Sequence, residues 1–288
     1  RDSPLLHRWA SRPAGAAASK GASREEDRVA ANDAEDEPQA RSLEALGASY
    51  GDARVGTAER RRRVRATFAD IAHGYDRAND LMSLGLHRLW KRRLVAAVTA
   101  SGPVLDLAGG TGDVAARLRA ARPGRLVVGG DPSPAMLTVD RRRHGPAATV
   151  AALEAERLPL ADASLAAVTF AFGLRNVTDP AATLAEIARV LRPGGRLHLL
   201  EFSTPVRWLR PLYRRLSATL LPWIGGRVTG RPEAYRYLAQ SIDRFPTAAA
   251  VTAALEAAGL RVERVEPLAL SIAVIHVARR PPAGTVAG

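Results

Sequence analysis

The nine residues LDLAGGTGD, Leu105 to Asp113, constrain this chain more than any other stretch, because an apolar run there ends in a turn with almost no side chains and a helix starts at once. Val104 to Leu107 reads as a buried strand, Ala108 to Gly112 as the turn, and Asp113 as the first-turn acid of a helix over Val114 to Ala121. The glycines leave bare backbone that a ligand can approach, and the start of the helix presents unpaired N–H groups. Asp106 stands at the carboxyl end of the strand, where open α/β sheets place their ligands. Taken alone, the motif also fits a merely structural strand-to-helix turn.

A second apolar run, Leu126 to Gly130, ends in Asp131, 19 residues past Gly112. Doubly wound nucleotide-binding folds put at that place the acid that accepts hydrogen bonds from two ribose hydroxyls. The spacing of Asp106, Ala108, Gly110 and Gly112 is not the dinucleotide fingerprint. It resembles motif I of S-adenosylmethionine-dependent methyltransferases, which implies S-adenosylmethionine rather than NAD.

Downstream the pattern alternates. Pro134 to Arg143 reads as a helix, Thr149 to Leu153 as a strand, Leu165 to Phe172 as a buried strand, Pro180 to Leu191 as a helix and Arg196 to Phe202 as a strand. Val251 to Ala258 is a late helix closed by Gly259, and Arg261 to Val265 and Ser271 to Val277 are the last strands. This rhythm predicts an α/β fold with a mostly parallel sheet covered on both faces. The 288 residues, 47% apolar, are enough for a substantial core. No run of 18 apolar residues predicts a membrane span. The chain has no cysteine, which excludes disulfides, thiolate metal sites and a cysteine nucleophile, and its six histidines form no close cluster of ligand spacing. No metal is expected. The net charge of +13 predicts attraction to polyanions, nucleic acid or an anionic membrane, or reflects only an arginine-rich composition.

Residues 1–47 lack hydrophobic periodicity and read as a disordered tail or, in their basic first part, as a targeting segment spoiled by the acids from Glu25 to Glu37. The basic run Arg60 to Arg63 leads into Phe68, Ile71 and Tyr75 at helical spacing and reads as a solvated helix face in preference to a binding patch. YDRANDLMSLGLHRLWKR, Tyr75 to Arg92, mixes aromatic, acidic, amide and histidine side chains more densely than packing requires, as a cover for a substrate pocket would. Asn79, Asp80 and Ser83 are also ordinary N-cap candidates. From Val206 to Gly226, Trp208, Leu209, Leu212, Tyr213, Leu216 and Leu220 share an arc of about 140° on a helical wheel, with Arg207, Arg210, Arg214 and Arg215 opposite. Such a helix lies on an anionic bilayer or packs over the core as a lid.

Six stretches together are similar to the ubiquinone/menaquinone biosynthesis C-methyltransferase family, over about Ser49 to Val277. They are the segment from Tyr75 to Arg92, LDLAGGTGD, FGLRNVTD at Phe172 to Asp179, RVLRPGGRL at Arg189 to Leu197, LEFSTP at Leu200 to Pro205 and AYRYLAQSIDRFP at Ala234 to Pro246. The resemblance implies a class I fold with a doubly wound, mostly parallel seven-stranded sheet, N-terminal helices and a helical insertion after the fifth strand. It implies a methyltransferase domain over 48–280, with 281–288 a C-terminal tail. The cofactor implied is S-adenosyl-L-methionine, held by Asp106, Gly110, Thr111, Gly112, Asp131, Glu154, Ala155 and Ala171. Glu154 departs from the family's Asp or Asn, and Ala171, Ala78 and Ala166 also replace the usual residues.

The reaction implied is methyl transfer to a ring carbon of a polyprenylated quinol, in which the protein supplies alignment and a dry site. Arg175 is the candidate for holding the quinol oxygen as phenolate character develops, unless it only binds a carboxylate or helix end. Asn176 is its neighbouring partner, and Tyr75, Asp76, Asn79, His87 and Tyr235 are further pocket candidates. The partners expected are the quinol, a membrane surface approached from a bacterial cytoplasm or a mitochondrial matrix, and a second copy or a quinone-biosynthesis complex, with no specific nucleic acid. Two other classes stay open: an RNA methyltransferase, and a non-catalytic subunit of the same fold.

Overall fold

The apolar runs form strands because the sheet is buried on both faces, and alternate side chains serve opposite layers. In this computed structural model, which describes residues 43–145 and 148–282, the strands are β1 Val104–Leu107, β2 Val127–Asp131, β3 Val150–Ala152, β4 Leu165–Ala171, β5 Leu191–Phe202, β6 Arg261–Leu268 and β7 Ala273–Arg279. They pair in the order β3-β2-β1-β4-β5-β7-β6. The first five are parallel and β7 is antiparallel to both β5 and β6. The expected seven-stranded, mostly parallel sheet is therefore present. The order reverses between β1 and β4, where an open α/β sheet leaves a crevice beyond its carboxyl edge.

On one face Leu105, Val168, Phe170 and Leu199 pack with Ile187 and Leu255. On the other Val104, Ala167, Leu200 and Ile275 pack with Trp90, Leu94 and Leu118. The helices supplying these layers are α4 Leu86–Ala97, α5 Asp113–Ala121, α7 Pro180–Val190 and α10 Ala248–Ala257. Asp179 caps α7 by accepting from the Ala182 N–H at 2.9 Å, with Pro180 in the first turn where no donor is needed. Ser133 and Pro134 start α6, Pro134–His144, in the same way.

Before the sheet lie α1 Leu43–Gly47, a short ribbon of Ser49–Tyr50 with Ala53–Arg54, α2 Thr57–Ile71 and α3 Tyr75–Met82. After β5 come α8 Arg210–Thr229 and α9 Pro232–Asp243, the helical insertion. Leu43 and Leu46 are buried in the same core as Ile187, so the domain begins at or before Leu43 and not at 48. A five-residue helix is too short to show periodicity. Residues 1–42, 146–147 and 283–288, which include the rest of the expected tails, lie outside the described residues.

Candidate active site

The glycine turn is shaped from beneath. Asp106 Oδ1 accepts from Thr169 Oγ at 2.7 Å on the adjacent strand, and its Oδ2 accepts from the Ala115 N–H at 3.0 Å in the first turn of α5. Burial pushes this carboxyl up to about 7, against the pull of those two donors. Both oxygens thus brace the turn from within the protein, and Asp106 also lines the larger of the two cavities that meet over it. Gly112 has φ +81°, and a Cβ there would stand 2.2 Å from the Asp140 carboxylate. Gly110 has φ +57° and nothing within 4 Å of a Cβ position, so its bare face opens on free space. Asp131 closes the turn: its Oδ2 accepts from the Gly110 N–H at 2.9 Å and its Oδ1 from the Ser133 N–H at 2.8 Å. Each of its oxygens keeps a lone pair for a further donor.

Two cavities meet over this turn. One, of about 100 Å³, is lined by Asp131, Glu154, Ala155 and Asn176, and is walled by Arg65 and Phe68 of α2. The other, of about 300 Å³, is lined by Asn79, His87, Thr111, Arg175, Tyr213 and Leu220. Tyr75, Ala108, Gly110, Ala171 and Phe172 line both and form their common wall. Ala108 and Phe172 have φ of +51° and +58°, a conformation that non-glycine residues adopt at a cost, at the two strand ends that make this wall. The residues around the smaller cavity suit the ribose end of S-adenosylmethionine, of which about 100 Å³ holds only a part: the carboxylate of Asp131 has two acceptor sites left, and the open side of Gly110 lets a ligand lie close.

Arg175 lies at the base of the larger cavity and is only 2% exposed. Its Nη1 donates to Glu201 Oε2 at 2.8 Å, and its guanidinium stands over the Phe202 ring at 5.0 Å and the Phe172 ring at 5.7 Å. Its Nε is buried and has no hydrogen-bond partner. Both expectations for this residue thus hold part of the geometry, since it binds a carboxylate and also faces the cavity. The turn carrying it, Leu174–Asn176, is tied down by Arg60 of α2, which is buried and donates to the carbonyls of Arg175 at 2.9 Å, Asn176 at 3.0 Å, Val177 and Ser49. The solvated face expected for Arg60 to Arg63 is therefore wrong at its first residue.

Other expected site residues separate. Asn176 does not stand beside Arg175 in the larger cavity. It lines the smaller one, where its Oδ1 accepts from the Tyr237 hydroxyl at 3.0 Å and its Nδ2 donates to the Phe172 carbonyl at 3.2 Å. Asp76 lines neither cavity; its carboxylate accepts from Thr111 Oγ at 3.0 and 2.9 Å and pairs with Arg143, fastening α3 to the glycine turn. Tyr235 is buried between α8 and α9, its ring filling the space where Gly225 has no side chain. It is a packing residue and not part of either cavity.

His87 does face the larger cavity, with Nδ1 2.8 Å from Ser83 Oγ. Burial first and the nearby Lys91 second lower it to about 4, so the ring is neutral at pH 7. Gly85 is the N-cap residue of α4, but Ser83 Oγ accepts from the His87 N–H at 3.4 Å in its first turn, while Asn79 and Asp80 lie within α3. Glu154 lines the smaller cavity but is paired with Arg65 of α2, a link that the extra methylene over Asp permits. Among the described residues no group of three His, Asp or Glu side chains is disposed to hold a metal, and no helix is long and apolar enough to cross a membrane.

Two functional residues escaped the sequence. Glu201 had a signal: a carboxylate inside the apolar run LHLLEF needs a buried cation, and Arg175 lies just beyond the end of the neighbouring strand. Arg60 had a fainter one, since stepping back by helical spacing from Ile71 through Val64 reaches it.

Comparison with known proteins agrees with this geometry. The family model described as the ubiE/COQ5 methyltransferase family matches residues 56–280. A protein of Rubrivivax gelatinosus named ubiquinone/menaquinone biosynthesis C-methyltransferase UbiE is 47% identical over 245 residues, covering 84% of this chain and 97% of that one. A demethylmenaquinone methyltransferase of Thermus thermophilus is 44% identical over 220 residues, covering 74% of this chain and 100% of that one. Among solved structures, a methyltransferase of Thermotoga maritima shares the fold with a TM-score of 0.54 at 20% identity, covering 75% of this chain and 99% of that one. With the family model spanning residues 56–280 and both relatives covered nearly end to end, the chain belongs to the ubiE/COQ5 methyltransferase family.

Proposed function

We propose that the protein methylates a ring carbon of a polyprenylated benzoquinol or demethylmenaquinol, with S-adenosylmethionine as methyl donor, at the surface of a membrane. The observation that carries this reading is the pair of cavities sharing one wall, one with the Asp131 carboxylate at its turn and the other mostly apolar, with the buried Arg175, Lys91 and Asp106 as its charged side chains. When bound, S-adenosylmethionine supplies a methyl group on a sulfonium that is already strongly electrophilic. The protein's part is alignment and exclusion of water.

Asp131 accepts the two ribose hydroxyls on its remaining lone pairs. Arg175 offers its buried, unpartnered Nε–H to a quinol oxygen, while Glu201 holds Nη1 and so fixes the plane of the guanidinium. As the hydroxyl gives its proton to a base, for which neutral His87 stands in the same cavity, that donor stabilises the charge left behind with no reorganisation; the ring carbon takes the methyl as the S–CH₃ bond breaks and then gives up its own proton to restore the aromatic ring. Neutral His87 and the hydroxyl of Tyr213 add polar contacts in the same cavity without a net charge.

The membrane part rests on exposed side chains of the turn before α4, where Leu84 lines that cavity, and of α8 and the turn before it. Leu84 is 86% exposed and Trp208 72%, and Leu212 and Trp223 are also exposed, with Arg227 stacked over Trp223 at 4.9 Å. A polyprenyl tail leaves a bilayer at about 0.8 kcal/mol per CH₂, so the enzyme must meet its substrate there. This surface mixes apolar side chains with arginine, as an interfacial one does. We infer on this basis that the protein works at a membrane surface, approached from a bacterial cytoplasm or a mitochondrial matrix.

The deciding experiment is mass spectrometry of quinones from cells lacking the protein. A demethyl precursor should accumulate and disappear on complementation. An unchanged quinone profile, with loss of a methylated base in RNA, would replace this reading. If a variant unable to bind S-adenosylmethionine restores the profile as well as the wild type does, the protein is a non-catalytic subunit.

A further inference from the structure

We infer that Arg60 is a positioning residue that holds the two cavities in one register, by tying the helix that walls the first to the turn that carries the guanidinium of the second. The inference rests on the methyl-transfer reading above. A guanidinium 2% exposed is costly unless its donors are met, and four carbonyls, not a carboxylate, meet this one. Three of them are consecutive, on Arg175, Asn176 and Val177. The planar fork of arginine can span them, whereas the compact ammonium of lysine has three donors at one point.

The placement is what gives the contact a role beyond folding. Arg175 lines the larger cavity and Asn176 the smaller, so the clamped backbone sets both side chains at once. On α2, Arg61, Val64, Arg65 and Phe68 line the smaller cavity within the two turns that follow. Arg60 is therefore a direct bond between a wall of one cavity and the base of the other. Tyr237 steadies Asn176 from the far side, its ring stacked on Tyr50 at 4.3 Å, and Tyr50 meets α2 through Thr67 Oγ at 2.6 Å and the Arg63 guanidinium; that route is indirect and passes through two rings, whereas Arg60 bonds the turn itself.

The test uses the full chain with Arg60→Lys and Arg60→Gln, and Arg62→Gln as the control, since Arg62 is 74% exposed on the same helix. Turnover of a reduced short-chain demethylquinol, S-adenosylmethionine affinity, melting temperature and hydrogen exchange are measured on the same samples. Misplacing a catalytic group by about 1 Å can cost roughly 10²-fold, so kcat of folded Arg60→Lys should fall by about that factor while KM changes far less. Exchange over residues 172–178 and 57–71 should rise together. Arg60→Gln should be worse than Arg60→Lys, and Arg62→Gln should match the wild type.

If folded Arg60→Lys keeps kcat close to that of the wild type, or if kcat falls only in step with stability, Arg60 is merely structural. Unchanged exchange over 172–178 would overturn the inference equally, and that arm decides even if Arg60→Gln does not fold. Failure of the wild type to methylate any quinol would instead overturn the functional reading, and the joint rise in exchange would still test the tie.

Discussion

Replacing Glu201 with Gln keeps the shape of the side chain and removes its charge, which makes it the sharpest probe of the buried pair. Both partners are 2% exposed. Glu201 Oε2 accepts from Arg175 Nη1 at 2.8 Å and from the Phe202 N–H at 3.0 Å, and Oε1 accepts from the Arg175 N–H at 3.3 Å. An amide has one oxygen for these three donors, so its NH₂ must face either a backbone N–H or the guanidinium. Removing one partner of a buried ion pair costs about 3–5 kcal/mol, because the other charge stays buried without compensation. For a domain of this size that is roughly 6–20 °C in Tm. In urea the midpoint should fall at an unchanged m value.

A double variant, Arg175→Met with Glu201→Leu, separates pairing from chemistry. Replacing a buried pair by apolar side chains of similar volume is often neutral or stabilising, so most of the lost stability should return while methylation stays absent. A loss below about 1 kcal/mol in Glu201→Gln would show that the carboxylate does not carry the charge of Arg175. Methylation by the double variant at the wild-type rate would remove Arg175 from the mechanism.

Asp131→Asn should weaken S-adenosylmethionine binding at least tenfold, since hydrogen bonds to a charged acceptor contribute roughly 1.5–3 kcal/mol each. Burial raises the Asp131 carboxyl to about 6, from 3.8 in the unfolded chain; its contribution to stability is therefore full below about 3.8 and lost as pH rises through about 6. Affinity should move the opposite way, improving as the carboxylate ionises from pH 5 to 7, and calorimetry should find the Asn variant flat across that range. Gly112→Ala forces a side chain at φ +81° into the Asp140 carboxylate, so thermal melting should fall and cofactor binding should vanish with it; an intact melt and unchanged affinity would deny the turn its role. Changing Trp208, Leu212 and Trp223 together to Ser should abolish co-sedimentation with anionic liposomes and spare turnover of a water-soluble quinol, whereas equal sedimentation would deny these exposed side chains a part in membrane binding.

The parts of this molecule that were legible in the sequence are those set by local patterns. Val104–Leu107 has its expected bounds because four apolar-to-buried positions sit between a proline and a glycine turn. The place of Asp131 against the glycine turn was legible because it depends only on the end of one strand. What escaped depended on partners far along the chain. Arg60 is 115 to 117 residues from the three consecutive carbonyls it binds, and a run of four arginines looks the same whichever one turns inward. Asp76 looked catalytic because a carboxylate beside a substrate helix usually is, yet Thr111 and Arg143 claim it across the fold. Tyr235 failed for a plainer reason: only the approach of α8 at Gly225 shows that its ring is filling space.

The pairing of Arg175 with Glu201 bears on how the site can be both dry and reactive. An unpaired guanidinium in an apolar cavity would draw in water or lose its place, since an isolated buried charge is not tolerated. Paired, the two residues carry no net charge, and the aromatic rings of Phe172 and Phe202 cover the cation. A neutral quinol can then enter without displacing ordered ions. On the proposed mechanism, the buried Nε–H acts on charge that appears at its own position, and Glu201 moderates the long-range attraction that would otherwise bind any anion. The same carboxylate that neutralises the guanidinium would therefore make it selective for a substrate whose charge develops during the reaction.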